Sequence, residues 1–201
     1  MIKRGFTLIE LLVSTAVFTV AMVIALGALL SLSEANRKAD LLNASINNVS
    51  FALDSMSRAL RTGTNYHCTT GGTLATPKDC GAGGASGTTP GTYIAFVAAD
   101  GAKVAYCFDD GAIKRQVIQA GVPGSLSTNC ASSVFLPLTA PDIVVENLSF
   151  YVTGAEPKQA ASADTTQPKV TILVRAYVVI KSTQRSWFNL QTSVTQRIYD
   201  L

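Results

Sequence analysis

The sequence has few of the residues that enzymes and metal proteins use for chemistry. It contains a single histidine, His67, and neither a Ser/His/Asp nor a Cys/His arrangement can be built around it. Its four cysteines are never closer than 12 positions, whereas zinc sites use close pairs such as C-x-x-C. No phosphate-binding glycine loop is present. We therefore expect no enzyme, no metal and no cofactor, and we expect His67 to be a surface or loop residue.

Charge is almost absent from the N-terminal segment. Between residues 6 and 30 the only formal charge is that of Glu10. At about 1.5 Å per residue, an α-helix of this length exceeds the ~30 Å hydrocarbon layer of a bilayer. The other polar side chains in this segment are Ser and Thr, whose hydroxyls can bond to helix carbonyls. Residues 6–30 are therefore predicted to form a transmembrane helix.

Lys3 and Arg4 precede this apolar segment. Because an excess of basic residues favours the cytoplasmic side, we predict a single-pass protein of the inner (cytoplasmic) membrane with a cytoplasmic N-terminus. The chain after about residue 31 is then extracytoplasmic, where disulfides persist. Three pairings of four cysteines are possible. Nearness in sequence favours Cys68 with Cys80 and Cys107 with Cys130.

Residues 31–62 continue the helix as an amphipathic segment, since no proline or glycine interrupts them. Apolar residues recur there in steps of three and four, the spacing of one stripe on an α-helix. The stripe consists of Leu42, Ile46, Val49, Leu53, Met56 and Leu60. One helix is thus predicted, apolar on all sides in its first half and packed by a stripe against a globular domain in its second. Gly63 is predicted to end it.

Residues 63–201 are predicted to form one globular antiparallel β domain, which makes the fold class α+β. Apolar and polar residues alternate in segments separated by Asp-Gly turns and longer loops. The predicted strands are 93–98, 103–109, 112–120, 143–153, 169–181 and 188–198, with loops at 71–91, 121–142 and 154–168. We expect the last loop to be mobile, and we expect Trp187 and Phe188 to pack at an edge of the core.

The N-terminus resembles that of the type IV prepilin superfamily. The resemblance rests on Lys3-Arg4-Gly5-Phe6, followed by Glu10 inside a membrane-length helix. It implies that residues 1–5 are a leader, that a membrane prepilin peptidase cuts between Gly5 and Phe6, and that the same enzyme N-methylates Phe6. Glycine suits this position because it lets a protease approach the backbone closely. Processing leaves 14 basic and 13 acidic residues, a net charge of +1 that indicates no nucleic-acid partner.

Glu10 needs a partner, because an isolated carboxylate in hydrocarbon costs several kcal/mol. The resemblance implies that the new amine of Phe6 in an adjoining subunit lies beside Glu10 in a filament whose core contains helix 6–30. The partners it implies are other pilin or pseudopilin subunits, contacted through the N-terminal helix, the prepilin peptidase, an inner-membrane assembly platform and the lipid bilayer. The processed chain is expected to leave the membrane for a periplasmic or extracellular filament.

The helix followed by a sheet also resembles type IV pilins and type II secretion pseudopilins. Residues 188–194 followed by Arg197 are similar to J-like pseudopilins and W-like minor pilins. We therefore expect a minor subunit, at the tip or at initiation, of a pseudopilus or a type IV pilus. The alternative is a membrane-anchored extracytoplasmic binding protein, for DNA uptake or adhesion, with a pilin-like anchor. That role needs a basic or aromatic cluster, and the sequence shows no basic-aromatic stripe.

Overall fold

The computed structural model describes residues 7–68, 74–81, 90–156, 166–181 and 184–197. This part of the chain contains one long helix, α1 (Leu8–Arg61), and eight strands. The strands are β1 (Thr64–His67), β2 (Tyr93–Val97), β3 (Lys103–Asp109), β4 (Ala112–Ile118), β5 (Leu136–Pro137), β6 (Ile143–Thr153), β7 (Lys169–Lys181) and β8 (Gln184–Thr195). The chain divides into a helical unit, residues 1–43, and a globular unit, residues 44–201.

The globular unit includes the end of α1, which packs against the strands. The buried helix residues are Ser45, Val49, Ala52, Leu53, Met56 and Leu60. Four of them belong to the predicted apolar stripe, whereas Leu42 and Ile46 stay partly exposed. Burying a large apolar side chain contributes about 1.5–3 kcal/mol, so this stripe holds the helix on the sheets.

Helix α1 ends at Arg61, two residues before the predicted stop at Gly63. A side chain at Gly63 has no room, because a Cβ there would lie 2.5 Å from the ring of Phe96. The Tyr66 hydroxyl lies 2.7 Å from the carbonyl oxygens of Leu60 and Gly63 and shares its one proton between them. The last carbonyls of a helix have no partner within it. Tyr66 therefore caps the C-terminus of α1.

The strands form two antiparallel sheets, one of order β1-β2-β3-β4-β5 and one of order β6-β7-β8. The predicted α+β architecture, a long helix packed on antiparallel strands, is confirmed, although two sheets replace the single one expected. β5, a two-residue strand inside the predicted loop 121–142, pairs with Lys114 and Arg115 of β4 and forms the edge of the first sheet. β6 belongs to the second sheet.

The outer edge of β6 is also covered. Cys80 and Val152 exchange two backbone hydrogen bonds, of 3.0 and 2.9 Å, and Gly91 and Phe150 do the same at 3.0 and 2.8 Å. The opposite edge of this sheet is β8. Two residues after it, the backbone amide of Arg197 donates to the carbonyl of Arg61 at 2.8 Å. Residues near both ends of the globular unit therefore meet at the end of α1.

The turn between β3 and β4 has the predicted chemistry. Asp109 pairs with Ala112, which leaves Asp110 and Gly111 as a two-residue connection with φ of 49° and 69°. Positive φ at both central residues is typical of the type I′ hairpin turn and explains the Asp-Gly sequence. This expectation is confirmed.

Two expectations about single side chains are wrong. His67 is not a surface or loop residue: it lies on β1, is 4% exposed, and its Nδ1 is 3.1 Å from the carbonyl of Thr76. Trp187 does not pack at a core edge. Successive strand residues point to opposite faces, so the inward, half-buried Phe188 leaves Trp187 on the outer face with 43% of its surface exposed.

The first sheet is buried on its second face as well. A cluster of Tyr93, Ala95, Ala105, Cys107 and Phe135 lies there, with residues 126 and 130 of the long loop packed against it. The structure joins Cys107 to Cys130, with Cα atoms 6.1 Å apart, and Cys68 to Cys80, with Cα atoms 6.0 Å apart. Each crosslink restrains a loop, and a disulfide typically stabilises the folded state by about 2–4 kcal/mol. Residues 157–165 of the loop expected to be mobile lie outside the described residues, as does Ile198 of the last predicted strand.

Candidate processing and assembly site

Gly5 and Phe6, between which processing is predicted, lie outside the described residues. The description begins at Thr7 and places Glu10 in the first turn of α1. Thr7 Oγ1 donates a long hydrogen bond, 3.4 Å, to Glu10 Oε2. A carboxylate in the first turn also interacts favourably with the helix dipole, by about 0.3–1 kcal/mol at an exposed site. The Glu10 carboxyl group thus lies in the first turn of the helix, close to the predicted cleavage point.

The first half of α1 has no cover from the described residues of the chain. Every residue from Leu8 to Leu30 is exposed, and the most apolar 18-residue stretch of the helix has a mean hydropathy of 2.3 with none of it buried. Soluble proteins rarely expose contiguous apolar patches larger than a few hundred Å². By length and composition this helix can cross a membrane. We therefore expect this apolar surface to contact lipid or other apolar helices.

The hydroxyl groups within this segment are satisfied by the helix itself. Ser14 donates to the carbonyl of Glu10 at 2.5 Å, Thr15 to that of Leu11 at 3.1 Å, and Thr19 to that of Thr15 at 2.7 Å. The expectation that these side chains bond to helix carbonyls is confirmed. Since Glu10 carries the only formal charge between residues 7 and 30, any ionic recognition along this surface depends on it.

A second exposed position was missed in the sequence analysis. Phe51 lies on the part of α1 that belongs to the globular unit, yet 76% of its surface is exposed. The signal was available, because Phe51 does not belong to the predicted apolar stripe although it is large and apolar. An aromatic side chain in that position has no core to enter and is free to contact another molecule.

The described residues also limit the chemistry of the site. Among them, no three His, Cys, Asp or Glu side chains stand close enough to hold a metal ion. Glu10 has hydroxyl and apolar neighbours on its helix, such as Thr7, Ile9 and Val13. What this arrangement offers is one anionic group on an otherwise apolar surface.

Comparison with known families bears directly on this segment. Residues 1–26 match the prokaryotic N-terminal methylation motif. The match covers the predicted leader and most of the exposed apolar part of α1, and it supports a prepilin-like, type IV pilin-like chain. It implies processing by a prepilin peptidase and assembly with pilin subunits. The apolar helix and the motif are together consistent with single-pass membrane anchoring. No curated protein and no solved structure matches the chain significantly.

Proposed function

We propose that this chain is a prepilin-like structural subunit that is cut after Gly5, N-methylated on Phe6 and assembled into a filament without any catalysis of its own. The proposal rests on the methylation motif at residues 1–26 together with the apolar segment of α1 from Leu8 to Leu30. Every residue of that segment is exposed, and Glu10 is its only acid. The motif accounts for the processing. The exposed helix accounts for assembly, because it needs a surrounding of lipid or of other helices.

Glu10 gives the assembly step its register. In the membrane and in a filament core the carboxylate is surrounded by apolar groups, where an unpaired charge costs several kcal/mol. Cleavage creates a cationic amine on Phe6, and this amine on a neighbouring subunit offsets that cost when it lies beside Glu10. A subunit inserted at the wrong stagger leaves both charges unpaired, a penalty of about 3–5 kcal/mol for a buried pair. One axial position is therefore strongly favoured.

The two parts of α1 take different places in the filament. The exposed half moves from the bilayer into the filament core, and the half that belongs to the globular unit stays attached to the sheets. Phe51, exposed on that second half, contacts an adjoining subunit. The sheets then face outward, into the periplasm or beyond the cell.

We further infer a minor role, at the tip or at initiation of a type II secretion pseudopilus or a type IV pilus. Support comes from the similarity of residues 188–194 and Arg197 to J-like pseudopilins and W-like minor pilins. Deleting the gene and measuring both protein secretion and surface piliation distinguishes the two machines. Loss of secretion with normal piliation assigns the pseudopilus, and the reverse result assigns the pilus.

The processing step is tested by the intact mass of the membrane-extracted protein from cells that contain a prepilin peptidase. We expect the mass to lack residues 1–5 and to gain one methyl group. An uncut chain in cells whose peptidase processes other substrates contradicts the proposal.

The assembly step is tested with Glu10→Ala, which keeps the cleavage residues and removes the charge. We expect normal processing and near-complete loss of incorporation into sheared filaments, because the amine of Phe6 has no counterion. The matched control is Asp40→Ala, which removes an exposed acid from the same helix outside the apolar segment and leaves incorporation unchanged. Normal incorporation of Glu10→Ala rejects the assembly mechanism.

A further inference from the structure

An exposed aromatic ladder lies on the outer face of the β6-β7-β8 sheet. The outer face is the side opposite the buried row of β7, and the aromatic ladder consists of Arg175, Tyr177, Arg185 and Trp187. The rings of Tyr177 and Trp187 lie 4.6 Å apart between centroids. The Arg175 guanidinium lies 4.9 Å from the Trp187 centroid, and that of Arg185 lies 4.8 Å from the Tyr177 centroid.

This ladder could not be predicted from local sequence patterns because its members come from two strands. Tyr177 on β7 pairs directly with Trp187 on β8, and this register brings together residues that are ten positions apart. A cation–π contact is favourable even at an exposed site, so these two contacts restrict the motion of the rings. An aromatic surface with little conformational freedom left to lose binds a partner at a smaller entropic cost.

A groove of about 510 Å³ adjoins the aromatic ladder on the same sheet. Polar side chains in its lining include Asn147, Ser149, Asn189 and Gln191. Asn189 pairs with Arg175 and Gln191 with Leu173, which puts two exposed amides in rows next to the ladder. Within the described part of the chain, neither of these side-chain amides has a hydrogen-bond partner. Each amide offers both a donor and an acceptor to a ligand.

The charge of the groove argues against a nucleic acid. Arg175 is the only charged side chain in the groove, and it pairs with Glu146 at 2.7 Å. Nucleic acids bind through cations that neutralise phosphates and release counterions. In the groove and the aromatic ladder together, Arg175 is already paired with Glu146, and Arg185 is the one other cation, so the site supplies little of this attraction.

We propose that the aromatic ladder and the adjoining groove bind a neutral, β-linked polysaccharide. A β-linked hexose with equatorial hydroxyls has an apolar C–H face and a rim of groups that both donate and accept hydrogen bonds. The C–H face packs on the part of Trp187 that stays exposed beside Arg175 and Tyr177, since 43% of the residue's surface is accessible. The hydroxyls of the next sugar reach the amides of Asn189 and Gln191. This binding does not depend on whether the chain assembles into a filament.

The proposal can be tested directly because Trp187 is the only tryptophan in the chain, so intrinsic fluorescence reports on this site alone. The full-length protein is kept in a detergent without a sugar head group, because such a head group would compete with the oligosaccharide for the site. It is titrated with cellohexaose and with N-acetylchitohexaose. We expect a saturable change in tryptophan emission with at least one of them. No change with either oligosaccharide overturns the proposal.

The double variant N189A/Q191A keeps the fluorophore and removes both amides. We expect its affinity for the oligosaccharide to fall roughly tenfold or more. Gln119→Ala is the matched control, since it removes an exposed amide beyond the end of β4 and leaves the affinity unchanged. Circular dichroism and the unfolding temperature establish that each variant is folded. A folded double variant that binds as tightly as the natural protein overturns the proposal.

A third titration, with oligodeoxythymidylate, distinguishes the two classes of ligand. We expect no saturable change in emission at physiological salt. Tight, salt-dependent quenching by this probe, without a response to the sugars, replaces the polysaccharide with single-stranded nucleic acid and overturns the proposal.

Discussion

The two halves of α1 belong to one continuous helix, yet they differ in the exposure of their apolar residues. Between Leu8 and Leu30 every residue is exposed, whereas between Ala44 and Arg61 a narrow stripe is buried and most of the remaining residues are polar, with Phe51 as the large exposed exception. The second half packs against strands of the same chain, and the first half has no such partner among the described residues. An amphipathic stripe thus indicates internal packing, while an all-round apolar surface indicates a partner outside the chain.

Two methionine substitutions, one in each half of α1, are expected to show the largest difference between the halves. Met56→Ala removes a fully buried side chain, and we expect the globular unit to lose about 2–5 kcal/mol of unfolding free energy. Met22→Ala makes the same change in the exposed half, and we expect the unfolding of the globular unit to stay the same. Denaturant unfolding followed by circular dichroism and by Trp187 fluorescence checks both. Equal effects of the two variants contradict the assignment of the two halves to different surroundings.

Tyr66→Phe tests the boundary at which the helix ends. The variant removes the buried hydroxyl that caps the carbonyls of Leu60 and Gly63, and we expect a loss of about 1–2 kcal/mol. Tyr151→Phe is the control, because its hydroxyl has no hydrogen-bond partner among the described residues. If both variants unfold at the same denaturant concentration, the tyrosine cap contributes nothing.

Alkaline pH is expected to lower the stability of the globular unit. Burial raises the pKa of Tyr93 to about 12, and it also raises the pKa of Tyr66 and of Tyr106, the last opposed by Arg115. The folded state therefore favours the neutral phenols, while unfolded tyrosines ionise near pH 10. Stability is intact below about pH 10 and falls as the pH rises towards 12.

Unfolding temperatures at increasing pH, together with phenolate absorbance, check this expectation. The buried tyrosines should ionise together with unfolding, after the exposed ones. An unfolding temperature that does not change up to pH 12 would falsify it.

Phe51→Ala is expected to have the smallest effect on stability. The side chain is exposed, and surface substitutions usually change the unfolding free energy by less than about 0.5 kcal/mol. If Phe51 contacts an adjoining subunit, the variant incorporates less well into filaments although it is as stable as the natural chain. Phe18→Ala gives the same chemical change on the apolar half and serves as the comparison. Stability lost without any effect on incorporation assigns Phe51 to the fold.

Local patterns predicted much of this fold. Steps of three and four identified the helix face that contains Val49, Leu53 and Met56, and alternation identified the inward face of β7. Both follow from the repeat of a single element, so neither needs knowledge of the rest of the chain. The Asp110-Gly111 turn was predictable for the same reason, since its backbone geometry is local.

Long-range pairing explains what could not be predicted. β1 and β5 have four and two residues, too few for a repeat, and both form edges of the first sheet. The burial of His67 depends on a strand that was not predicted. The position of Trp187 beside Tyr177 depends on the register between β7 and β8. Of the candidate site, Glu10 and the apolar helix were predicted, whereas Phe51 was overlooked although its place outside the apolar stripe is visible in the sequence.

The end of α1 determines how the globular unit bears tension. Arg197, two residues after β8, donates to the carbonyl of Arg61, and the Tyr66 hydroxyl of β1 donates to those of Leu60 and Gly63. If the chain leaves the bilayer by its helix, as the proposed assembly requires, a force on the helix reaches β1 and the segment after β8 at the same point. Hydrogen bonds from both ends of the unit to one helix terminus would then oppose the separation of either terminal strand under that force.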